Sequence, residues 1–138
     1  MALILLVSLP VCAGLVCLVT PSRKLWEWLN LATFAALVPL AVKIGSEVLA
    51  DSVVWAPGGF LRADALSALV MGLTVFVALV CAIYSIGYFR ADAGAGKITE
   101  KQLRRYYVLT PLFVAVMLLV PLADNLGIMW VAIEGATL

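Results

Sequence analysis

Long apolar runs separated by short polar stretches divide most of the chain. The four complete runs cover residues 3–19, 29–49, 65–88 and 106–122. Each run is close to the ~17–25 residues that cross a bilayer as a helix. A fifth run begins after Asp124 and reaches Leu138. The pattern predicts an all-α fold, a polytopic membrane helix bundle with four full transmembrane helices and the start of a fifth, in a single transmembrane domain (residues 1–138).

The composition agrees with several membrane spans. Hydrophobic residues make up 65% of the chain and charged residues 12%, against averages of about half and about a quarter in soluble domains. A soluble domain of this size could not bury so much apolar surface, so we expect the lipid bilayer to surround the chain. The first run lacks the basic residues that precede the apolar part of a secretory signal, and it is predicted to be a retained transmembrane helix.

The first long connection, residues 51–63, has the pattern of a β-hairpin. Val53, Val54 and Trp55 favour a strand, and Ala56-Pro57-Gly58-Gly59 is typical of a turn. The chain then becomes extended again before Asp64. We expect Asp64 to be the N-cap of the third helix, because its carboxylate can accept hydrogen bonds from free amides of the first turn.

The charge distribution predicts the orientation of the spans. The connection after the first span contains Arg23 and Lys24, and the loop 89–105 is the most basic segment of the chain. The hairpin connection contains a single basic residue, Arg62. The positive-inside rule therefore places the amino terminus and the hairpin outside, and the basic loop 89–105 in the cytoplasm. Within this loop, Thr99-Glu100-Lys101-Gln102 has the form of a capping box and predicts the start of a helix.

Lys43 and Glu47 form a possible membrane charge pair near the outer end of the second span. They are four residues apart, so they share one face of a helix and can pair. Two interpretations stay open. The side chains can reach the membrane interface as an exposed pair, or they can face a neighbouring helix or a polar pathway.

A single carboxylate, Glu134, lies deep in the fifth run. From Asn125 to Glu134 a helix rises about 13–14 Å, nearly half of the ~30 Å hydrocarbon core. A carboxylate there costs a few kcal/mol. Gly127, Trp130, Glu134 and Thr137 fall on one face of a helix. Glu134 and Thr137 are therefore candidates for a proton path, and the alternative is a structural carboxylate that bonds a neighbouring helix.

The sequence has no catalytic constellation. It contains no histidine, and no serine or cysteine has a base nearby. Cys12, Cys17 and Cys81 lie within predicted spans and lack the spacing of metal ligands. We therefore expect no catalytic residue, no cofactor and no metal. No basic patch with interleaved aromatic residues indicates a nucleic-acid partner.

The segment W-V-A-I-E-G-A-T-L at residues 130–138 resembles the W-V-A-I-E-A-T-T-L stretch of a known family. This family consists of the antiporter-like membrane subunits of respiratory complex I, Mrp-type cation/proton antiporters and membrane-bound hydrogenases. Residues 64–67, D-A-L-S, resemble the opening of its third helix, and residues 87–90 and 106–107 are also similar. The resemblance is strongest to the hydrogenase-4 and formate hydrogenlyase type, and it corresponds to the amino-terminal portion of that fold.

The resemblance implies a large helical bundle in a prokaryotic inner membrane, with an outward amino terminus. It implies that Glu134 is a proton-path residue paired with a lysine of a later helix. Gly135 and Ala136 depart from the family pattern, where Ala and Thr are common. Because the fifth run stops at Leu138, we expect the later helices and the lysine to come from another chain or from further sequence.

The expected function is therefore that of a membrane subunit in a complex I-like or energy-converting hydrogenase complex. It would contribute to proton or sodium translocation coupled to redox chemistry in other subunits, and would itself be a non-catalytic subunit of the oxidoreductase. The alternative is a structural or scaffolding subunit, in which Glu134 is inert and the hairpin bridges neighbouring subunits. A third hypothesis is a membrane protein that acts in assembly.

Overall fold

The computed structural model describes residues 1–137 and confirms a mostly helical fold. Four long helices precede a short fifth one, and a two-stranded antiparallel sheet lies between the second and third helices. In chain order the elements are α1 (Ala2–Val19), α2 (Arg23–Asp51), β1 (Val54–Trp55), β2 (Arg62–Ala63), α3 (Ala65–Gly94), α4 (Glu100–Leu122) and α5 (Leu126–Thr137).

Helices α1 to α4 are long and apolar enough to cross a membrane, as the hydrophobic runs predicted. Helix α2 has 29 residues and α3 has 30, so each is about 44–45 Å long at ~1.5 Å per residue. The hydrocarbon core is only about 30 Å thick. The ends of α2 and α3 therefore extend beyond the core, into the headgroup region or water.

Two helix boundaries differ from the prediction. Helix α2 begins at Arg23, not near residue 29, and α3 continues to Gly94, past residue 88. The predicted basic loop 89–105 is therefore mostly helical, and only residues 95–99 connect α3 to α4. Charged residues interrupt a hydrophobic run, but they do not terminate a helix. Arg and Lys, like the Ala residues between them, are good helix formers. The chain turns instead at Gly96, which has a φ of +68°.

The predicted local signals at the helix starts and in the hairpin are present. Val54 pairs with Ala63 and Trp55 with Arg62, and the turn between the strands contains two glycines with positive φ, Gly58 at +95° and Gly59 at +72°. Thr99 and Gln102 form the predicted reciprocal capping box at the start of α4. The β-hairpin and the helix start were therefore readable from short patterns.

The connections alternate between two ends of the bundle. At one end the hairpin contacts the turn between α4 and α5, where the Asp124 amide donates to the Phe60 carbonyl at 3.2 Å. At the other end the Arg104 guanidinium donates to the Leu18 carbonyl, which joins the start of α4 to the end of α1. The alternation matches the sequence-predicted order of the connections.

The packed interior lies among α1 to α4. Its centre includes Leu6, Leu37 and Leu118, each fully buried. Helices α1 and α4 pack tightly at Gly14, where an added Cβ would lie 2.8 Å from Leu112 Cγ. Large apolar side chains cover much of the outside, as a multi-pass membrane protein requires, because lipid rather than water surrounds it.

Candidate functional site

A buried carboxylate, Glu27, lies in the second turn of α2 and is 2% exposed. Its Oε1 accepts a hydrogen bond from Arg23 Nε at 3.2 Å. Its Oε2 accepts from Arg90 Nε at 3.0 Å and from Arg90 Nη2 at 2.7 Å. Two guanidinium groups therefore neutralise one carboxylate, with the short N–O distances that charged hydrogen bonds favour.

Two elements position this Glu27 cluster, defined as Arg23, Glu27 and Arg90. Arg23 and Glu27 are one helical turn apart on α2, so they face the same side. Arg90 comes from the last two turns of α3, and Arg23 Nη2 also donates to the Phe89 carbonyl at 3.1 Å. The cluster therefore ties the start of α2 to the end of α3.

Sequence reasoning missed this cluster. Arg90 was assigned to a loop, and the segment around Glu27 was treated as the connection before the second span. The four-residue spacing of Arg23 and Glu27 was the available signal, but it has meaning only if α2 begins at Arg23. The two tryptophans beside Glu27 also differ. Trp26 is buried and donates to the Thr20 carbonyl at 2.9 Å, whereas Trp28 is 62% exposed.

A layer of buried polar groups lies one turn further into the bundle. Asn30 Nδ2 donates to the Tyr107 carbonyl and to the Trp26 carbonyl, both at 3.1 Å, and lies 3.5 Å from Cys17 Sγ. Among the residues that the structure describes, Asn30 Oδ1 and the Tyr107 hydroxyl are buried without a hydrogen-bond partner. The layer links α1, α2 and α4 beneath the Glu27 cluster.

Glu134 has a different environment. Helix α5 packs on α4 through Ala132, which is buried, and Gly135, whose added Cβ would lie 3.6 Å from Val116 Cγ2. Glu134 lies on the opposite, open face. Its side chain has no ion pair with any residue in the described range 1–137.

The other members of the predicted α5 face are also exposed. They are Gly127, Trp130 and Thr137. The Thr137 hydroxyl donates to the Glu134 carbonyl at 2.9 Å, so in this structure it bonds its own helix and not the Glu134 carboxylate. The four residues thus share an open side of α5, and their role in a proton path stays a prediction.

The predicted pair of Lys43 and Glu47 lies on the outside of α2. Lys43 Nζ is 3.9 Å from Glu47 Oε1, and the two side chains are 64% and 39% exposed. Within the described residues neither belongs to the Glu27 cluster or to the α5 face. The geometry is that of an open helical pair, which contributes little to stability.

Asp64 is the N-cap of α3. Its Oδ1 accepts from the Ser67 amide at 2.9 Å and lies 3.0 Å from the Ser67 hydroxyl, and its Oδ2 accepts from Arg62 Nη2 at 2.9 Å. The Ser67 amide, then the Ser67 hydroxyl and the Arg62 guanidinium, hold the pKa of the Asp64 carboxyl below its usual range. Arg62 also lies 3.6 Å from Asp124, so the cap joins the α4–α5 turn.

The described part of the chain contains no group of three or more His, Cys, Asp or Glu side chains that could hold a metal ion. Cys17 is buried, whereas Cys12 and Cys81 are exposed, and all three are free thiols. The buried carboxylate is already bound by two guanidinium groups. Glu27 is therefore neutralised by two guanidinium groups, whereas Glu134 is exposed and has no ion pair with a residue in the range 1–137.

Comparison with known proteins agrees with the resemblance seen in the sequence. Residues 60–98 match a family described as the N-terminus of chain 5 of NADH-ubiquinone oxidoreductase (complex I). A hydrogenase-4 component F homologue from Methylacidiphilum infernorum (isolate V4) is 33% identical over 82 residues. By both comparisons, the chain is similar to the amino-terminal portion of antiporter-like complex I and hydrogenase subunits.

The extent of the similarity limits which residues it includes. The aligned region covers 59% of this chain and 17% of the relative's length. The family match contains Asp64 and Arg90, but Glu27 and Glu134 lie outside residues 60–98. The family match therefore assigns no role to either carboxylate.

Proposed function

We propose that this chain is part of a membrane subunit in a complex I-like or energy-converting hydrogenase complex. It contributes to the translocation of protons, or of sodium ions, coupled to redox chemistry in other subunits. Similarity to complex I chain 5 and to a hydrogenase-4 component supports the class of complex. The complex lies in a prokaryotic inner membrane, and the amino terminus faces outward, in agreement with the basic residues near the 20–22 and 95–99 connections.

The observation that carries the translocation role is the open position of Glu134 on an apolar helix. Its neighbours Val131 and Ile133 are 69% and 47% exposed. A carboxylate among lipid-facing side chains costs a few kcal/mol or more, and such groups normally face other helices or a water-filled cavity. The proposal therefore requires further helices over this face of α5, supplied by another chain or by further sequence, with a lysine next to Glu134.

A carboxylate and a lysine in this arrangement can move a proton. In a low-dielectric environment without a nearby cation, a carboxyl group favours its neutral, protonated form. When a cation approaches, the charged form becomes favourable and the proton leaves. Movement of the lysine away from the carboxylate would thus load a proton, and movement toward it would release that proton. The redox reaction elsewhere in the complex would drive this movement.

The test is Glu134→Gln in the assembled complex, compared with Glu47→Gln. Gln keeps the size of the side chain but cannot carry the proton. Redox-driven proton uptake into inverted membrane vesicles, followed with a ΔpH-sensitive dye, should fall about tenfold or more in Glu134→Gln. Glu47→Gln, which changes an exposed carboxylate on α2, should leave uptake unchanged, and Glu134→Asp should restore part of it.

Normal proton uptake by a fully assembled Glu134→Gln complex would overturn the proposed role. It would favour the alternative, a structural or scaffolding subunit in which Glu134 is inert. Assembly is checked by the amounts of the partner subunits that purify with each variant. Repeating the assay with potassium in place of sodium distinguishes a proton path from a sodium path. Translocation that is lost without sodium would assign the path to sodium ions.

A further inference from the structure

A cationic cleft lies at the end of the bundle that carries the Glu27 cluster. It opens between the start of α2 and the end of α3 and has a volume of about 650 Å³. Arg23, Lys24 and Arg90 line it with Glu27 and Trp28. Three cations thus face one carboxylate, and the cleft has a net charge of two positive.

The buried carboxylate does not use up the donors of this cleft. A guanidinium group has five N–H donors. The contacts of Arg23 with Glu27 and Phe89 use two of its donors, and the contacts of Arg90 with Glu27 also use two. Glu27 fixes both guanidinium planes while their remaining N–H groups can reach an anion. Because Arg23 is 31% and Arg90 54% exposed, these donors are accessible from the cleft.

Lys24 is the free cation of the cleft within residues 1–137. Its side chain is exposed and has no ion pair with a described residue. It follows Arg23 directly at the start of α2, where the helix dipole adds a partial positive charge. A lysine ammonium and two fixed guanidinium groups are the donors that proteins use to bind phosphate.

The position of the cleft favours a lipid over a soluble anion. Trp28 lines it and is 62% exposed, and exposed tryptophans of membrane proteins lie at the level of the headgroups. The cleft is also at the end of two helices that are longer than the hydrocarbon core. Basic pockets between helices on the cytoplasmic side bind anionic headgroups. A phosphate here could keep its acyl chains along the apolar surface beside Trp28.

We propose that the cleft between the start of α2 and the end of α3 binds the phosphate group of an anionic phospholipid. Arg23 and Arg90, held in place by Glu27, donate to the phosphate oxygens, and Lys24 adds charge at the mouth. The site is separate from Glu134 and does not depend on the proposed translocation role. It makes lipid composition a determinant of how firmly α2 and α3 are held together.

The probe is brominated phosphatidylglycerol, which quenches tryptophan fluorescence on contact. The purified complex in neutral detergent is titrated with this lipid or with brominated phosphatidylcholine. The part of the quenching that Trp28→Phe abolishes reports the cleft alone. We expect phosphatidylglycerol to quench Trp28 at lower concentration than phosphatidylcholine, and Lys24→Gln to weaken that binding about fivefold. Added salt should reduce the preference.

Lys97→Gln is the matched control, because Lys97 is exposed at the same end of the bundle but does not line the cleft. It should change the binding less than about twofold. A combined Arg23→Gln, Glu27→Gln and Arg90→Gln variant removes both guanidinium groups without leaving a buried charge alone. It should abolish the preference for phosphatidylglycerol. If that variant does not fold, the comparison of Lys24→Gln with Lys97→Gln still decides whether the lipid binds at the cleft.

Two results would overturn the proposal. Equal weakening in Lys24→Gln and Lys97→Gln would mean a general attraction of the basic surface and no site. Equal quenching by the two lipids, together with binding of inorganic phosphate that Lys24→Gln weakens, would mean a soluble phosphate site. Weak displacement of phosphatidylglycerol by inorganic phosphate would support a site for the phospholipid rather than for soluble phosphate.

Discussion

Glu27 and Glu134 are carboxylates on apolar helices, yet their surroundings are opposite. Glu27 is 2% exposed and lies against two guanidinium groups from α2 and α3. Glu134 lies on the open face of α5, where no residue within 1–137 pairs with it. The charge of Glu27 is neutralised within its own chain, whereas the role proposed for Glu134 depends on a partner outside the described residues.

The same contrast extends to the helices that hold the two carboxylates. Helices α1 to α4 bury a shared core and bring together residues that are far apart in sequence. Helix α5 contacts α4 through small residues such as Ala132 and Gly135. The first region therefore has a shared buried core, whereas α5 packs on α4 with one side and leaves Glu134 exposed on another.

The largest expected effect comes from Glu27→Leu. Removing one partner of a buried ion pair typically costs about 3–5 kcal/mol. Arg23 and Arg90 are partly exposed, so water can stabilise them in part, and we expect a loss of about 2–3 kcal/mol. The measurement is the free energy of unfolding of the purified complex in detergent.

Glu47→Leu is the control for that prediction. Its pair with Lys43 has an N–O distance of 3.9 Å and is exposed, so its loss should cost less than about 0.5 kcal/mol. Equal destabilisation by Glu27→Leu and Glu47→Leu would show that the Glu27 cluster adds nothing to stability. The contrast between a structural and an open carboxylate would then fail.

The second test compares two glycines, Gly14 of the bundle and Gly135 of α5. In Gly14→Ala the new Cβ would lie 2.8 Å from Leu112 Cγ and 3.1 Å from the Val108 carbonyl. Overpacking of this kind costs about 1–3 kcal/mol. In Gly135→Ala the new Cβ would lie 3.6 Å from Val116, an ordinary contact, so the change should be neutral or stabilise by up to about 1 kcal/mol.

Thermal unfolding of both glycine variants in the same detergent measures the difference. A Gly14→Ala protein as stable as Gly135→Ala would mean that the α1–α4 interface is no tighter than the α4–α5 interface. The two regions would then differ in charge only and not in packing.

The smallest effect concerns Asp64, a carboxylate whose partners are local. Losing the N-cap in Asp64→Ala should cost about 1 kcal/mol at neutral pH. Because the pKa of Asp64 is lowered in the folded state, its contribution is present above the ordinary pKa of about 3.9 and is lost as the pH falls through the lower, folded value.

Asp64→Asn separates the cap from the charge. Asn is also a good N-cap, so at neutral pH this variant should lose less stability than Asp64→Ala. Acid unfolding curves should show a smaller loss of stability for Asp64→Asn than for the unchanged chain once the pH falls below about 4. Parallel curves for the two proteins would contradict a lowered pKa at this position.

Short-range patterns in the sequence predicted much of this structure. The four spans follow from hydrophobic runs, the hairpin from turn residues around Pro57, and the start of α4 from the pattern of Thr99 and Gln102. Each of these signals acts over a few neighbouring residues, so no tertiary information is needed. Hydropathy alone failed where the helices α2 and α3 continue beyond their apolar runs.

The Glu27 cluster could not be predicted in the same way. Its two arginines are four and 63 residues from Glu27, and the more distant one meets it only because α3 extends past Tyr88 and packs beside α2. Glu134 was visible because a carboxylate in an apolar run is conspicuous in any sequence. A buried charge near the end of a span looks like an ordinary interfacial residue until the helices are placed.

The separation of the two arginines along the chain also has a consequence during synthesis. Arg23 is available to Glu27 as soon as the first turns of α2 form, but Arg90 leaves the ribosome 63 residues after Glu27. At ~5–20 residues per second this delay is about 3–13 s. During that time Arg23 is the guanidinium partner available to Glu27, and the second guanidinium contact forms when the end of α3 packs beside α2.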